Sequence, residues 1–129
     1  MGGDAVLDRE TALVWEKAPR AAQSNWPLAQ NHCRELILGN RAGWRLPTLQ
    51  ELQSLLDPAA MSVPKLPAAH PFVDVAADDY WSASSAESSP LVAFGLNLNL
   101  GNVIATQKRN QLVNLFAWCV RGGQGVDPQ

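Results

Sequence analysis

Long apolar runs are missing from this 129-residue chain, and it holds only two cysteines, two histidines, two methionines and one tyrosine. A membrane-spanning helix needs about 20 mostly apolar residues, so none is expected. Met1-Gly2-Gly3-Asp4 lacks the charged start and apolar stretch of a secretory signal peptide. Cys33 and Cys119 stand far apart and match no C-x-x-C metal or redox spacing. Two readings of them stay open: a pair of buried thiols, or one disulfide between an early element and the last one, which would place the chain in an oxidising compartment. His70 has Pro71 and Phe72 beside it and lacks the ligand cluster of a zinc site. No Gly-x-Ser-x-Gly elbow marks a serine hydrolase.

Charge of one sign is also lacking. The net charge is −2 with a pI near 5.6, and the ten Lys and Arg residues are scattered. That leaves no electrostatic footprint for nucleic acid or an anionic membrane. With 47% hydrophobic and 17% charged residues, the composition suits one globular domain.

What is present is best organised around Gly43-Trp44-Arg45-Leu46-Pro47-Thr48-Leu49-Gln50-Glu51-Leu52. Pro47 holds Leu46 extended, and Thr48 with Glu51 three residues later makes a capping box that starts a helix at Thr48. Leu49, Leu52, Leu55 and Leu56 give that helix one apolar face, and Asp57-Pro58 ends it. Trp44, Arg45, Leu46, Pro47, Thr48 and Glu51 therefore read as scaffold.

Upstream, the short apolar runs around Arg9-Glu10-Thr11 predict a β-hairpin, with Asp8 and Thr11 serving its turn. A first helix is expected over residues 27–38, capped by Ser24 or Asn25, with Ala29, Cys33, Leu36 and Ile37 inward and Gly39-Asn40 as its stop. Cys33 then faces the core, which suits a structural disulfide better than a reactive thiol. His32 lies about 100° away around the helix and reads as a surface residue. Residues 58–79 carry four prolines and form a long irregular connection that Tyr80 and Trp81 pin to the core. Asp74, Asp78 and Asp79 match no calcium-loop spacing and read as solvated acids. The serines from Ser82 to Ser89 look like a loop between strands. Leu96-Asn97-Leu98-Asn99-Leu100 alternates as a strand with its leucines on one face, Gly101-Asn102 turns the chain into Val103-Ile104, and Cys119 falls on a last strand.

The Trp-Arg-Leu-Pro-Thr-x-x-Glu-Leu block, the Tyr80-Trp81-Ser82 block and the closing Trp118-Cys119-Val120-Arg121 resemble a bacterial C-type-lectin-like family that includes the C-terminal domain of the collagen-like adhesin Lcl. The likeness covers residues 4–123, leaving 124–129 as a tail. It implies an α+β, C-type-lectin-like fold with two helices, a small mostly antiparallel sheet, paired terminal strands and an irregular loop region. It also implies a disulfide between Cys33 and Cys119. The sugar-binding calcium motifs of true C-type lectins are absent, so calcium-dependent sugar binding is not carried over; no metal and no cofactor is expected. Family members usually carry Gly where Ala12 stands. The Arg-Leu-Pro-Thr segment is shared with formylglycine-generating enzymes, whose chemistry needs two cysteines close together at an active site.

The resulting expectation is a non-catalytic ligand-binding domain, adhesin-like or receptor-like, of a bacterial exported or surface protein. Its ligand is a protein or glycan, with no nucleic acid and no membrane insertion. Ser84, Ser85, Glu87, Asn97, Asn99, Asn102, Lys108, Arg109, Asn110 and Asn114 are the candidate binding surface, because Ser and Asn adapt their hydrogen bonds to many partners. The alternatives are a hypervariable receptor diversified by a retroelement, a degenerate formylglycine-generating-type oxidase, and a trimerising structural cap.

Overall fold

The computed structural model describes residues 4–19, 23–38, 40–61, 63–67, 70–109 and 114–122. In chain order the elements are β1 (Ala5–Asp8), β2 (Leu13–Glu16), α1 (Trp26–Glu35), α2 (Leu49–Gln53), β3 (Asp79–Ala86), β4 (Ser89–Asn97), β5 (Val103–Gln107) and β6 (Val120–Gly122). They make an α+β fold with two antiparallel three-stranded sheets, β1-β2-β6 and β3-β4-β5. No helix among the described residues is long and apolar enough to cross a membrane.

The N-terminal hairpin is the expected one. Asp8 accepts the Glu10 amide on its carboxylate at 3.0 Å and the Ala12 amide on its carbonyl at 2.8 Å, and Thr11 Oγ1 accepts the Leu13 amide at 3.2 Å. Ala12 sits at φ 64°, where a side chain is strained and glycine is not. β6 pairs with β2, so the terminal strands meet.

Asn25 caps α1 by accepting the Leu28 amide at 3.1 Å, with Pro27 tolerated in the first turn. The helix stops at Glu35 and falls short of 38. Leu36 is already extended, and Leu38 and Arg41 exchange two backbone bonds of 3.0 and 3.1 Å across a turn in which Asn40 takes φ 61°. Ile37 is therefore exposed, not inward; helical spacing no longer applies where the chain has left the helix. α2 is also short, but Leu52 and Leu55 are buried as expected.

Two further expectations change. The serine-rich stretch is mostly strand: β3 and β4 join through Glu87-Ser88, and the buried Ser82 hydroxyl donates to the Phe94 carbonyl at 2.7 Å. The alternating leucines are not one strand either. β4 ends at Asn97, whose Oδ1 accepts the Leu100 amide at 2.6 Å while its carbonyl accepts from Gly101 at 2.8 Å. Leu96 and Leu98 are buried, and Leu100 is exposed.

The segment before β6 ties the two sheets together. Leu115 bridges to Ser24, Phe116 to Tyr80, and Val120 to Arg45. Cys119 stands one residue ahead of β6, where its carbonyl accepts the Glu16 amide at 3.2 Å. Because neighbouring side chains on an extended chain point to opposite sides, the pairs Val14/Trp15, Tyr80/Trp81 and Trp118/Cys119 each divide between two cores. One core gathers Trp15, Tyr80, Trp118, Leu52 and Leu96; the other gathers Cys33, Cys119, Trp44, Leu46 and Trp81.

Candidate functional site

The Trp44–Thr48 block is scaffold. Trp44, Leu46 and Pro47 are buried, the Trp44 indole donates to the Arg41 carbonyl at 2.8 Å, and the Pro47 carbonyl accepts the Ala83 amide at 2.7 Å. The capping box forms in both directions: Thr48 Oγ1 accepts from the Glu51 amide at 3.2 Å, and Glu51 Oε1 from the Thr48 amide at 2.8 Å. Burial pushes the Glu51 carboxyl up, but the Arg45 guanidinium and the Thr48 amide outweigh it and hold it below the usual glutamate range. Tyr80 donates to the Ala76 carbonyl at 3.0 Å, and Trp81 to the Ser24 carbonyl at 2.8 Å, so these two rings anchor the irregular connection and the approach to α1. Burial raises the Tyr80 phenol well above its ordinary value.

Cys33 and Cys119 form a disulfide. Both are fully buried, and together they join α1 to the end of the chain.

The ten surface candidates do not make one face. Ser84 is structural, since its hydroxyl accepts the Leu49 amide at 2.9 Å and so serves the start of α2. Asn97 is structural too, donating from Nδ2 to Asp79 Oδ1 at 2.7 Å while capping its own turn. Asn99 and Asn102 are exposed in the turn between β4 and β5. Lys108 and Arg109 follow the other end of β5, about 17 Å away by strand rise. Glu87 is exposed at the β3–β4 turn, Asn114 is exposed next to the Leu115–Ser24 bridge, and Asn110 lies outside the described residues.

Ser85, Lys108 and Arg109 do come together, with residues the sequence did not single out. The Lys108 ammonium lies 4.1 Å from the centre of the Trp26 ring and donates to Ser85 Oγ at 2.7 Å. The backbone fixes this arrangement. The Lys108 carbonyl accepts the Trp26 amide, and its own amide donates to the Leu91 carbonyl, both at 2.9 Å. The Trp26 indole reaches back to the Ser82 carbonyl at 2.9 Å. Around them is an open cleft of about 400 Å³ lined by Trp26 and Pro27 of α1, Pro90 and Leu91 of β4, and Gln107, Lys108 and Arg109. Leu91 is 69% exposed on its rim. The cleft combines cationic donors with an apolar wall.

Asp74, Asp78 and Asp79 do not converge. The one His/Cys/Asp/Glu group among the described residues close enough to share an ion is Glu16, His32 and Cys119. His32 is half-buried there and is not the surface residue its helical position suggested.

A family model described as the Lcl C-terminal domain matches residues 4–121. No curated protein matches the chain.

Proposed function

Because the chain belongs to the Lcl C-terminal domain family, we propose that it is a non-catalytic ligand-binding domain of a bacterial exported or surface protein. In this reading it is a C-type-lectin-like scaffold that holds a protein or glycan ligand at the Trp26–Lys108 cleft. The observation that carries the reading is the fixed placement of Lys108 over Trp26 and against Ser85, beside Arg109 and the exposed Leu91.

The chemistry of the cleft follows from these groups. Lys108 and Arg109 offer charged donors that bind acceptor oxygens more strongly than neutral ones, while Pro27, Pro90 and Leu91 offer apolar surface to a ring or side chain. The backbone bonds at Lys108 hold part of the cleft in place before a ligand arrives, which lowers the ordering cost of binding. The Cys33–Cys119 bond supports an oxidising, extracytoplasmic location. It also supports the non-catalytic reading over the oxidase alternative, which needs free thiols.

The test is binding of the intact domain to an array that carries both glycans and proteins, repeated with Trp26→Ala and Lys108→Ala. A ligand whose capture drops about tenfold or more in both variants is the expected result. Absence of any binder, or capture that survives both substitutions, overturns the assignment of the cleft.

A further inference from the structure

Behind the disulfide lies a group of side chains that the binding cleft does not use. Glu16 on β2, His32 on α1 and Cys119 ahead of β6 each place one ligand atom within 4.8 Å of the other two. The Cys33 sulfur is one bond further, 2.07 Å from that of Cys119. We infer that the reduced form of this domain is a zinc-binding form, with Glu16, His32, Cys119 and Cys33 as its four ligands.

The donor set argues for zinc. Two thiolates, one imidazole and one carboxylate suit a tetrahedral, borderline-soft ion. Bond lengths of about 2.0–2.3 Å put tetrahedral donors roughly 3.3–3.8 Å apart, so the three clustered atoms, within 4.8 Å of one another, need to close by at most about 1–1.5 Å. Glu16 is held in place for this, because its Oε1 accepts the Cys119 amide at 2.7 Å. His32 is half-buried, and its buried Nε2 has no hydrogen-bond partner; a desolvated ring nitrogen left in that state is costly and gains from a cation. A cavity of about 330 Å³ reaches Glu16 and His32 from the surface between Asp4, Lys17 and Val73, which gives the ion a way in.

The two states exclude each other. In the oxidised domain the sulfurs bond to one another and are not thiolates. A phosphine reductant cleaves that bond: water supplies the oxygen of the phosphine oxide and the hydrogens of two thiols, and zinc then displaces the two thiol protons. The two cysteines thus close the fold through a metal, together with Glu16 and His32, in the reduced domain and through their own disulfide in the oxidised one.

The experiment titrates the whole chain with cobalt as a zinc surrogate, once oxidised and once after reduction by a phosphine and removal of excess reagent. Expected are the visible bands of tetrahedral cobalt with thiolate charge transfer, in the reduced protein only, saturating at one ion per chain and bleached by zinc. His32→Ala and Glu16→Gln should each weaken the affinity about tenfold or more, and His70→Ala should leave it unchanged. A reduced protein without tetrahedral bands overturns the inference. So does equal affinity in His32→Ala, because two thiols in a non-native chain would then account for all the binding, and so does equal binding by the oxidised protein.

Discussion

Arg45 grips Glu51 with both terminal guanidinium nitrogens, at 2.8 and 2.9 Å, while its own backbone exchanges two 2.8 Å bonds with Val120. The same guanidinium reaches the Gly122 carbonyl at 2.8 Å. One residue thereby joins the capping box of α2 to the last strand, and the pair is mostly shielded, with side-chain exposures of 18% and 13%.

Removing this grip should be costly. Arg45→Ala leaves the Glu51 carboxylate partly buried without its counter-charge and frees the Gly122 carbonyl, a loss of about 2–4 kcal/mol. Arg45→Lys should recover only part of it, since an ammonium cannot make the two parallel bonds. Urea unfolding of both variants beside the parent measures the difference; a loss below about 1 kcal/mol for the alanine would mean the contact is incidental.

Glu51 also sets an acid limb. Its folded pKa lies below the ordinary value, so its contribution is complete above the unfolded glutamate pKa and is lost as pH falls through the folded one. Stability should decline as pH drops from about 5 toward 3. Glu51→Gln should be less stable than the parent at neutral pH and show a shallower decline over that window. Parallel pH profiles for the two proteins indicate whether other carboxylates dominate instead.

Ala12 offers a stabilising change. At φ 64° a left-handed alanine is strained by about 1–2 kcal/mol relative to glycine, and glycine's greater freedom in the unfolded chain takes back about 0.5–1 kcal/mol. Ala12→Gly should therefore raise stability by roughly 0.5–1 kcal/mol, seen as a higher urea midpoint with an unchanged slope.

The fold was legible wherever a local device decides local structure. Thr48 with Glu51, Asp8 with Thr11, and Asn25 with Pro27 announced their turns and caps because the partners lie within a few residues. The Leu96–Leu100 alternation misled, because period 2 says nothing of where a strand stops; Asn97, a turn-former inside the pattern, was the missed signal. The cleft was half legible. Ser85, Lys108 and Arg109 belonged to the expected surface, but Trp26 is brought to them only by backbone bonds between distant segments. His32 was misjudged for the same reason, since its neighbours Glu16 and Cys119 come from β2 and from the segment just ahead of β6.

The disulfide should carry much of the stability. Cys33 and Cys119 are separated by 86 positions, and closing a loop of that length is worth about 4–5 kcal/mol in the chain-entropy model. Replacing both by alanine also removes any metal-held form, so the double variant should unfold at far lower urea than the oxidised parent, with or without zinc. A loss under about 2 kcal/mol would show that the cross-link to α1 is redundant with the Ser24–Leu115 and Arg45–Val120 bridges.

Lys108 and Trp26 should act as a unit in the cleft. The ammonium sits over the ring and is steadied by Ser85, an arrangement worth about 0.5–1 kcal/mol at a partly exposed site. For stability, Trp26→Ala and Lys108→Ala should then be less than additive by that amount in a double-mutant cycle. The coupling has a readout in binding as well: if Lys108 is presented to ligand by Trp26, then Trp26→Ala removes most of what Lys108→Ala removes, and the double variant binds little worse than either single one. Fully additive losses in affinity would instead mean that ring and ammonium contact the ligand independently. In that case the cation–π contact would order the free cleft without positioning the charge for recognition.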